Sequence, residues 1–117
     1  MSVTHIHATV TGPTGESATV ELLLDSGMMY SVLPNEVWRQ LGLSTKRTMR
    51  FTLADGRAIE RDISECHFAL ADADGHSPVI LGEPEDEALL GMVTLEVMGL
   101  VLNPFKRTLE PMRMLLV

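Results

Sequence analysis

From Val3 to Val10 the apolar Ile6, Ala8 and Val10 alternate with His5, His7 and Thr9. A period of two puts those apolar side chains on one face of a half-buried strand. Gly12-Pro13-Thr14-Gly15 follows as a turn, its glycines open to positive φ and its proline fixing its own φ. The second strand, about Ser17 to Leu24, begins in alternation and becomes continuously apolar at Leu22-Leu23-Leu24, where it meets Asp25-Ser26-Gly27. After Val32-Leu33, Pro34 opens a helix, since its missing N–H would have no partner in the first turn. Val37, Trp38 and Leu41 share one face of that helix, and Gly42 ends it.

Met49, Phe51 and Leu53 alternate with Arg50 and Thr52, and Ala54-Asp55-Gly56-Arg57 makes a tight turn before Ala58 and Ile59. This predicts a β-hairpin with an exposed polar tip. Cys66 to Leu70 and Pro78 to Leu81 read as two more short strands separated by a turn at Asp72-Ala73-Asp74-Gly75. The acidic loop Glu83 to Glu87 leads into Ala88-Leu89-Leu90-Gly91; Leu95 and Met98 then share a face of a short helix stopped by Gly99. Strands at Leu100 to Asn103 and Leu109 to Val117 flank a turn at Pro104. Strands dominate and no repeat or linker interrupts them, so residues 1–117 are expected to form a single all-β domain.

Composition narrows the function. Hydrophobic residues make up 45% of the chain and charged ones 21%, which fits a packed core rather than disorder. Nine Lys and Arg against sixteen Asp and Glu leave a net charge of -7, unfavourable for nucleic acid or anionic membranes. Cys66 is the one cysteine, which excludes an intrachain disulfide scaffold or a cysteine-rich zinc module and fits a reducing cytoplasm. Met1 to Val10 lacks a positive segment followed by an apolar core, and no apolar run approaches the roughly 18 residues of a membrane span. A soluble cytoplasmic protein without nucleic-acid or membrane partners is the expectation.

Asp25 is the unusual position, because an acid directly after three leucines at the end of a core strand faces desolvation. Taken alone, Asp-Ser-Gly is better explained by a turn aspartate bonded to nearby backbone N–H groups. The surroundings carry more. Leu22-Leu23-Leu24-Asp25-Ser26-Gly27, then Tyr30-Ser31-Val32-Leu33-Pro34, resembles the catalytic segment of retropepsin-like aspartic proteases. Ala88-Leu89-Leu90-Gly91, followed by Leu95-Glu96 and Gly99-Leu100, resembles their second signature, and the Asp55-Gly56 hairpin falls where that family has its flap. The resemblance spans roughly Ala18 to Pro111.

It implies a retropepsin-like closed β-barrel with one short C-terminal helix, and an aspartic endopeptidase active as a homodimer on peptide or protein substrates. Asp25 would be catalytic, with Ser26 bracing the pair of aspartates across the dimer and Gly27 letting substrate backbone approach. Met28, Asp55 and Gly56 would belong to the substrate pocket and flap, while Leu89, Leu90 and Gly91 would pack beneath the catalytic loop. Asp55-Gly56 and Asp74-Gly75 lie in polar turns with no preceding apolar run, so a second catalytic carboxylate has to come from a second copy. The N-terminal and C-terminal strands are candidates for an interchain sheet.

One departure stands out: Met28 occupies a position that is usually small in the family. It either lines an apolar subsite or marks a catalytically weak module for dimerisation or peptide binding. Asn103 stands where similar chains often have aspartate, though a turn role explains it. His5 and His7, with His67 or His76, lack a Cys, Asp or Glu at diagnostic spacing, so no metal or other cofactor is expected. The run Glu83 to Glu87 contains a proline and no glycine and reads as a solvated turn rather than a calcium loop.

Overall fold

A computed structural model describes residues 4–116. The strands are β1 (His5–Thr11), β2 (Ser17–Leu24), β3 (Ser31–Leu33), β4 (Arg47–Thr52), β5 (Ala58–Leu70), β6 (Ala73–Leu81), β7 (Leu89–Leu90), β8 (Leu100–Asn103) and β9 (Thr108–Pro111). Two short helices join them, α1 (Asn35–Gln40) and α2 (Met92–Val97). Seven strands run in the order β1-β2-β7-β3-β6-β5-β4, and a further pairing of β1 with β5 closes the first six into a ring. Closure satisfies strand edges that would otherwise be open to other chains. β8 and β9 form a separate antiparallel pair.

The predicted alternation sets the register. Ile6 faces Leu22, Ala8 faces Val20 and Val10 faces Ala18 across β1 and β2, so the apolar positions of both strands share the inner face. Their core neighbours include the fully buried Leu33, Leu41, Phe68, Val79 and Leu90. Pro34 is the cap of α1, with φ -59° and ψ 149°, and the helix begins one residue later. The Trp38 indole N–H donates to the Gly82 carbonyl at 2.9 Å and ties α1 to the end of β6. Gly12 does more than turn the chain: a Cβ there would lie 2.2 Å from the Leu41 carbonyl oxygen, so the end of α1 packs directly on its backbone.

Three expectations change. Cys66 to Leu70 is the last part of a thirteen-residue strand, β5, which runs unbroken from the hairpin into the ring. The turn between β5 and β6 lies at Ala71-Asp72, with Ala71 at φ 52°. Ala73, Asp74 and Gly75 are already paired in β6, opposite Leu70, Ala69 and Phe68. Gly75 suits a strand there because α2 covers it, the Val97 side chain coming within 3.4 Å of where its Cβ would be.

The C-terminal strand is shorter than expected. Pairing ends at Pro111, beyond which the Met112 N–H donates to the Gly99 carbonyl at 2.6 Å and Met114, Leu115 and Leu116 are exposed. Val3 and Val117, the outer limits of the two predicted terminal strands, lie outside the described residues. β1 is an intrachain strand, bonded to β2 along its length and to β5 over Thr9–Thr11, which leaves only its first half unpaired on one side for any interchain sheet.

Phe68 is wholly buried at the centre of the ring, so Phe68→Ala is expected to lower the unfolding free energy by about 3–5 kcal/mol. Exposed Thr19→Ala on β2 should stay within about 0.5 kcal/mol. Urea titrations of both variants check this.

Candidate active site

β2 leaves the core at Leu23, and its backbone is then taken over by β7. The Leu23 N–H donates to the Ala88 carbonyl at 3.0 Å and the Asp25 N–H to the Leu90 carbonyl at 3.2 Å. The chain reverses over Asp25-Ser26-Gly27, with the Gly27 N–H donating to Asp25 Oδ1 at 2.9 Å and the Met28 N–H to the Asp25 carbonyl at 3.1 Å. On the far side, the Met28 and Met29 carbonyls accept the N–H groups of Met92 and Val93, both at 2.9 Å. The loop carrying Asp25 is therefore bonded through its backbone to β7 at one end and to the start of α2 at the other. Those two N–H groups of α2 have no partner within the helix, so both sides gain.

Gly91 sits between these attachments. A Cβ there would lie 2.5 Å from the Tyr30 carbonyl carbon and 2.6 Å from the Met29 carbonyl oxygen, so the loop rests on bare backbone. Leu90 beside it is fully buried and Leu89 is half-buried. Below lies a chain of hydroxyl groups that sequence reading did not single out. The Gly91 N–H donates to Ser31 Oγ at 2.9 Å, Ser31 Oγ meets Thr94 Oγ1 at 2.5 Å, and Thr94 Oγ1 meets Ser77 Oγ at 2.8 Å. Ser77 Oγ–H donates to the Pro78 carbonyl at 3.1 Å, so its proton is used there, and the order Ser31 to Thr94 to Ser77 to Pro78 satisfies every hydroxyl. The three residues are at most 1% exposed, where an unpaired hydroxyl would be costly. Their one sequence signal is a polar residue inside an apolar stretch, Thr94 before Leu95 and Ser31 before Val32-Leu33.

Above the loop the environment is wetter than the three leucines predict. Within one chain Asp25 is half-buried, and Ser26 and Gly27 are exposed. The expectation of a deeply desolvated acid is corrected accordingly: β2 is fully buried only to Leu22 and has reached the rim by Asp25. Beside Gly27 opens a cleft of about 630 Å³, walled by Met28, Tyr30, Phe51, Ile59, Ile80 and Leu89 among others. Met28, Tyr30, Met49, Phe51 and Leu89 pack against a small buried cluster of Val32, Ile63 and Ile80, and the Tyr30 and Phe51 rings meet edge to face with centroids 6.4 Å apart. Met28 is part of this wall, while Met29 is 63% exposed.

The β4–β5 hairpin forms the opposite wall. Its tip is closed by the Leu53 N–H donating to the Arg57 carbonyl at 2.7 Å and the Gly56 N–H donating to the Leu53 carbonyl at 2.9 Å. The Arg57 backbone N–H, and then its guanidinium, hold the Asp55 carboxyl below the usual carboxylate range. Asp55 and Gly56 stand at this exposed tip; the cleft lining stops at Leu53 and resumes at Ile59, so the two do not border the cleft.

The acidic loop is not wholly solvated, which corrects a second expectation. Glu83, Glu85 and Glu87 are exposed, but Asp86 turns inward to a two-pronged ion pair, Arg61 Nε–H to Oδ2 at 2.7 Å and Nη2–H to Oδ1 at 3.1 Å. The Glu83 N–H adds a bond to Oδ2 at 2.8 Å. The hydrogen bond from Arg61 holds the Asp86 carboxyl below its ordinary range, and the same contact raises Arg61.

Elsewhere the candidates have local partners. His5 and His7 lie 4.0 and 3.3 Å from Glu21, and His67 Nε2 lies 2.7 Å from Asp74. Among the described residues no three His, Cys, Asp or Glu side chains gather as a metal site would require. Burial pushes the Cys66 thiol up to about 12, far from a reactive thiolate. Asn103 Oδ1 accepts the N–H groups of Phe105 and Lys106 at 3.0 and 3.1 Å, the bonding of a turn residue.

With this geometry in place, comparison with family models matches residues 6–94 to the family described as aspartyl protease. The match begins in β1 and ends within α2, so it takes in Asp25, the hairpin and Gly91 but not β8 or β9. No curated protein matches the chain.

Thr94→Val keeps the shape but leaves the Ser31 hydroxyl proton without an acceptor and Ser77 Oγ without a donor, and is expected to cost about 1–3 kcal/mol in a denaturant titration, most of it recovered by Thr94→Ser. Asp86 supplies a pH-dependent term. Because its carboxyl is depressed in the folded chain, the stability it adds is fully present above the ordinary carboxylate value of about 3.9 and disappears as pH falls through the lower folded value. The stability gap between the natural chain and Asp86→Asn should therefore be open at pH 6 and close below about pH 4, as thermal melts across that range will read.

Proposed function

The chain belongs to the aspartyl protease family, and we propose that it is an aspartic endopeptidase working as a homodimer in which each copy supplies one Asp25. The observation that carries this reading is the Asp25-Ser26-Gly27 turn, bonded between β7 and α2 with its side chains directed to the rim, in a chain that holds one such triplet. Exposure of Ser26 and partial exposure of Asp25 in one chain support a partner that covers them.

Two carboxylates facing each other across a two-fold axis cannot both ionise cheaply, so the pair holds one proton. The ionised member takes a proton from water as its oxygen attacks the peptide carbonyl carbon, and the protonated member donates to the carbonyl oxygen. The resulting gem-diol collapses as the newly protonated aspartate gives its proton to the amide nitrogen and the other takes one from a gem-diol hydroxyl, the C–N bond breaking to release amine and carboxylic acid and to restore the singly protonated pair. No group outside the two chains and one water enters the balance.

The substrate fits as an extended peptide with apolar side chains against Met28, Tyr30 and Phe51. Met28 also bears on the weaker reading, a dimerisation or peptide-binding module without turnover: it packs into the wall and leaves the cleft open, so it gives no steric reason to prefer that reading. Two copies at -7 repel, so the dimer should tighten with moderate salt or lower pH. One buried cysteine and an acidic surface support a cytoplasmic setting without nucleic-acid or membrane partners.

Asp25→Asn is expected to reduce cleavage of an unfolded protein at mildly acidic pH by about 10²–10⁴-fold while sedimentation still finds the dimer. The natural chain's rate should peak on the acidic side and decline towards pH 8. A monomer at high micromolar concentration, undiminished cleavage by Asp25→Asn, or a rate climbing steadily above pH 8 would each overturn the proposal.

A further inference from the structure

The hairpin that walls the cleft leaves the ring at a definable residue. β5 pairs with β6 from Ile63 onward, its first partner there being Ile80, and Ile63 is also the last residue of β5 paired with β4. Towards the tip, from Asp62 to Ala58, β5 pairs with β4 alone. A two-stranded ribbon of that kind is marginal without something packed against it. Arg61 is the first inward-facing residue on this projecting part, following the alternation Ile59, Arg61, Ile63.

A guanidinium on the inner face of an apolar wall is costly unless its donors are met. Here they are: the Arg61 side chain is 15% exposed, its Nε–H and Nη2–H grip both oxygens of Asp86, itself 23% exposed, and Nη1–H donates to the Glu60 carbonyl at 3.0 Å. The acceptor is prepared as well, since the Asp86 N–H bonds the Glu83 carbonyl at 2.9 Å and the Glu83 N–H bonds Asp86 Oδ2. Parallel Arg–carboxylate bonds of this kind fix direction as well as distance. Two residues after Asp86, Ala88 accepts the Leu23 N–H, and Leu90 then accepts that of Asp25.

We infer that the Arg61–Asp86 pair is a positioning latch, tying the root of the cleft-lining hairpin to the loop that feeds the Asp25 turn and so setting the width of the peptide channel between them. This rests on the protease reading for its kinetic consequence, but not for its structural one. Arg61 and Asp86 position the wall and touch no reacting atom.

The test compares the full chain with Arg61→Met, Asp86→Asn and the double variant. Amide exchange at Leu53 and Gly56, both bonded across the hairpin tip, should quicken roughly tenfold in each single variant, while Val20 and Leu22 stay within about twofold. The double variant should be no worse than the worse single one, because the second change removes a charge already stranded. With a quenched-fluorescence peptide as substrate, KM should rise about fivefold or more with kcat within about twofold, and Arg61→Lys, which keeps the charge but not the fork, should recover part of the loss.

Hairpin exchange within twofold of the natural chain in both single variants would overturn the latch. So would quickening spread equally over β1 and β2, additive effects in the double variant, or unchanged KM beside a loosened hairpin. If the natural chain cleaves nothing, or cleaves equally well as Asp25→Asn, the protease reading fails and the exchange measurement still decides whether the pair holds the hairpin.

Discussion

β7 is two residues long, yet it is hydrogen-bonded on both sides, parallel to β2 and antiparallel to β3. A strand wedged in this way has one exit, beneath the loop that links its two neighbours, and Gly91 takes it in contact with the Met29 and Tyr30 carbonyls. The rest of the site follows from that crossing. The Asp25 N–H reaches Leu90, the Met28 and Met29 carbonyls receive the first N–H groups of α2, and Ser31 is brought over the Gly91 N–H. The loop is thus located by its backbone and from below. Little of its upper surface is used in holding it, and the carboxylate of Asp25 is left at the rim.

Hydrophobic alternation made β1, β2 and the start of α1 legible because each keeps a regular apolar face against one core. It failed where a neighbour decides. β5 looked interrupted between Ile59 and Cys66 because Arg61 occupies an inward position that the pattern reserves for an apolar side chain; only its partner Asp86, 25 residues away, makes that placement affordable. Asp74-Gly75 has turn chemistry but lies in β6 under Val97, while the turn itself uses Ala71 at positive φ, a residue that turn rules do not select. Met112 to Leu116 is as apolar as a strand, but among the described residues it pairs with none.

The site divides along the same line. Asp25, Ser26, Gly27, Leu89, Leu90 and Gly91 were legible because two short motifs resemble those of the family, and at Gly91 the close approach of the Met29 and Tyr30 backbone accounts for the residue type. Ser31, Ser77 and Thr94 could not, because a buried hydroxyl and a surface one are the same letter until its neighbours are known. Asp55 and Gly56 read correctly as a hairpin tip, but their distance from the cleft depends on where β5 leaves the ring. Met28 was ambiguous for a related reason: only the company of Tyr30, Met49 and Phe51 shows it as wall.

The chain also treats its polar groups according to what their burial costs. Neutral hydroxyls, which need only a partner, are placed at full burial below the loop in a sequence that ends on a carbonyl. The inward ion pair, more expensive to dehydrate, keeps a fraction of its surface in water and is held by several bonds. Asp25, a charge with one backbone donor to its carboxylate, is left half-solvated. Sealed inside a single chain, such a group would be driven towards its neutral form and would have little capacity to accept a proton. At the rim the carboxylate of Asp25 stays in contact with water, so the fold needs no buried counter-charge to hold it there.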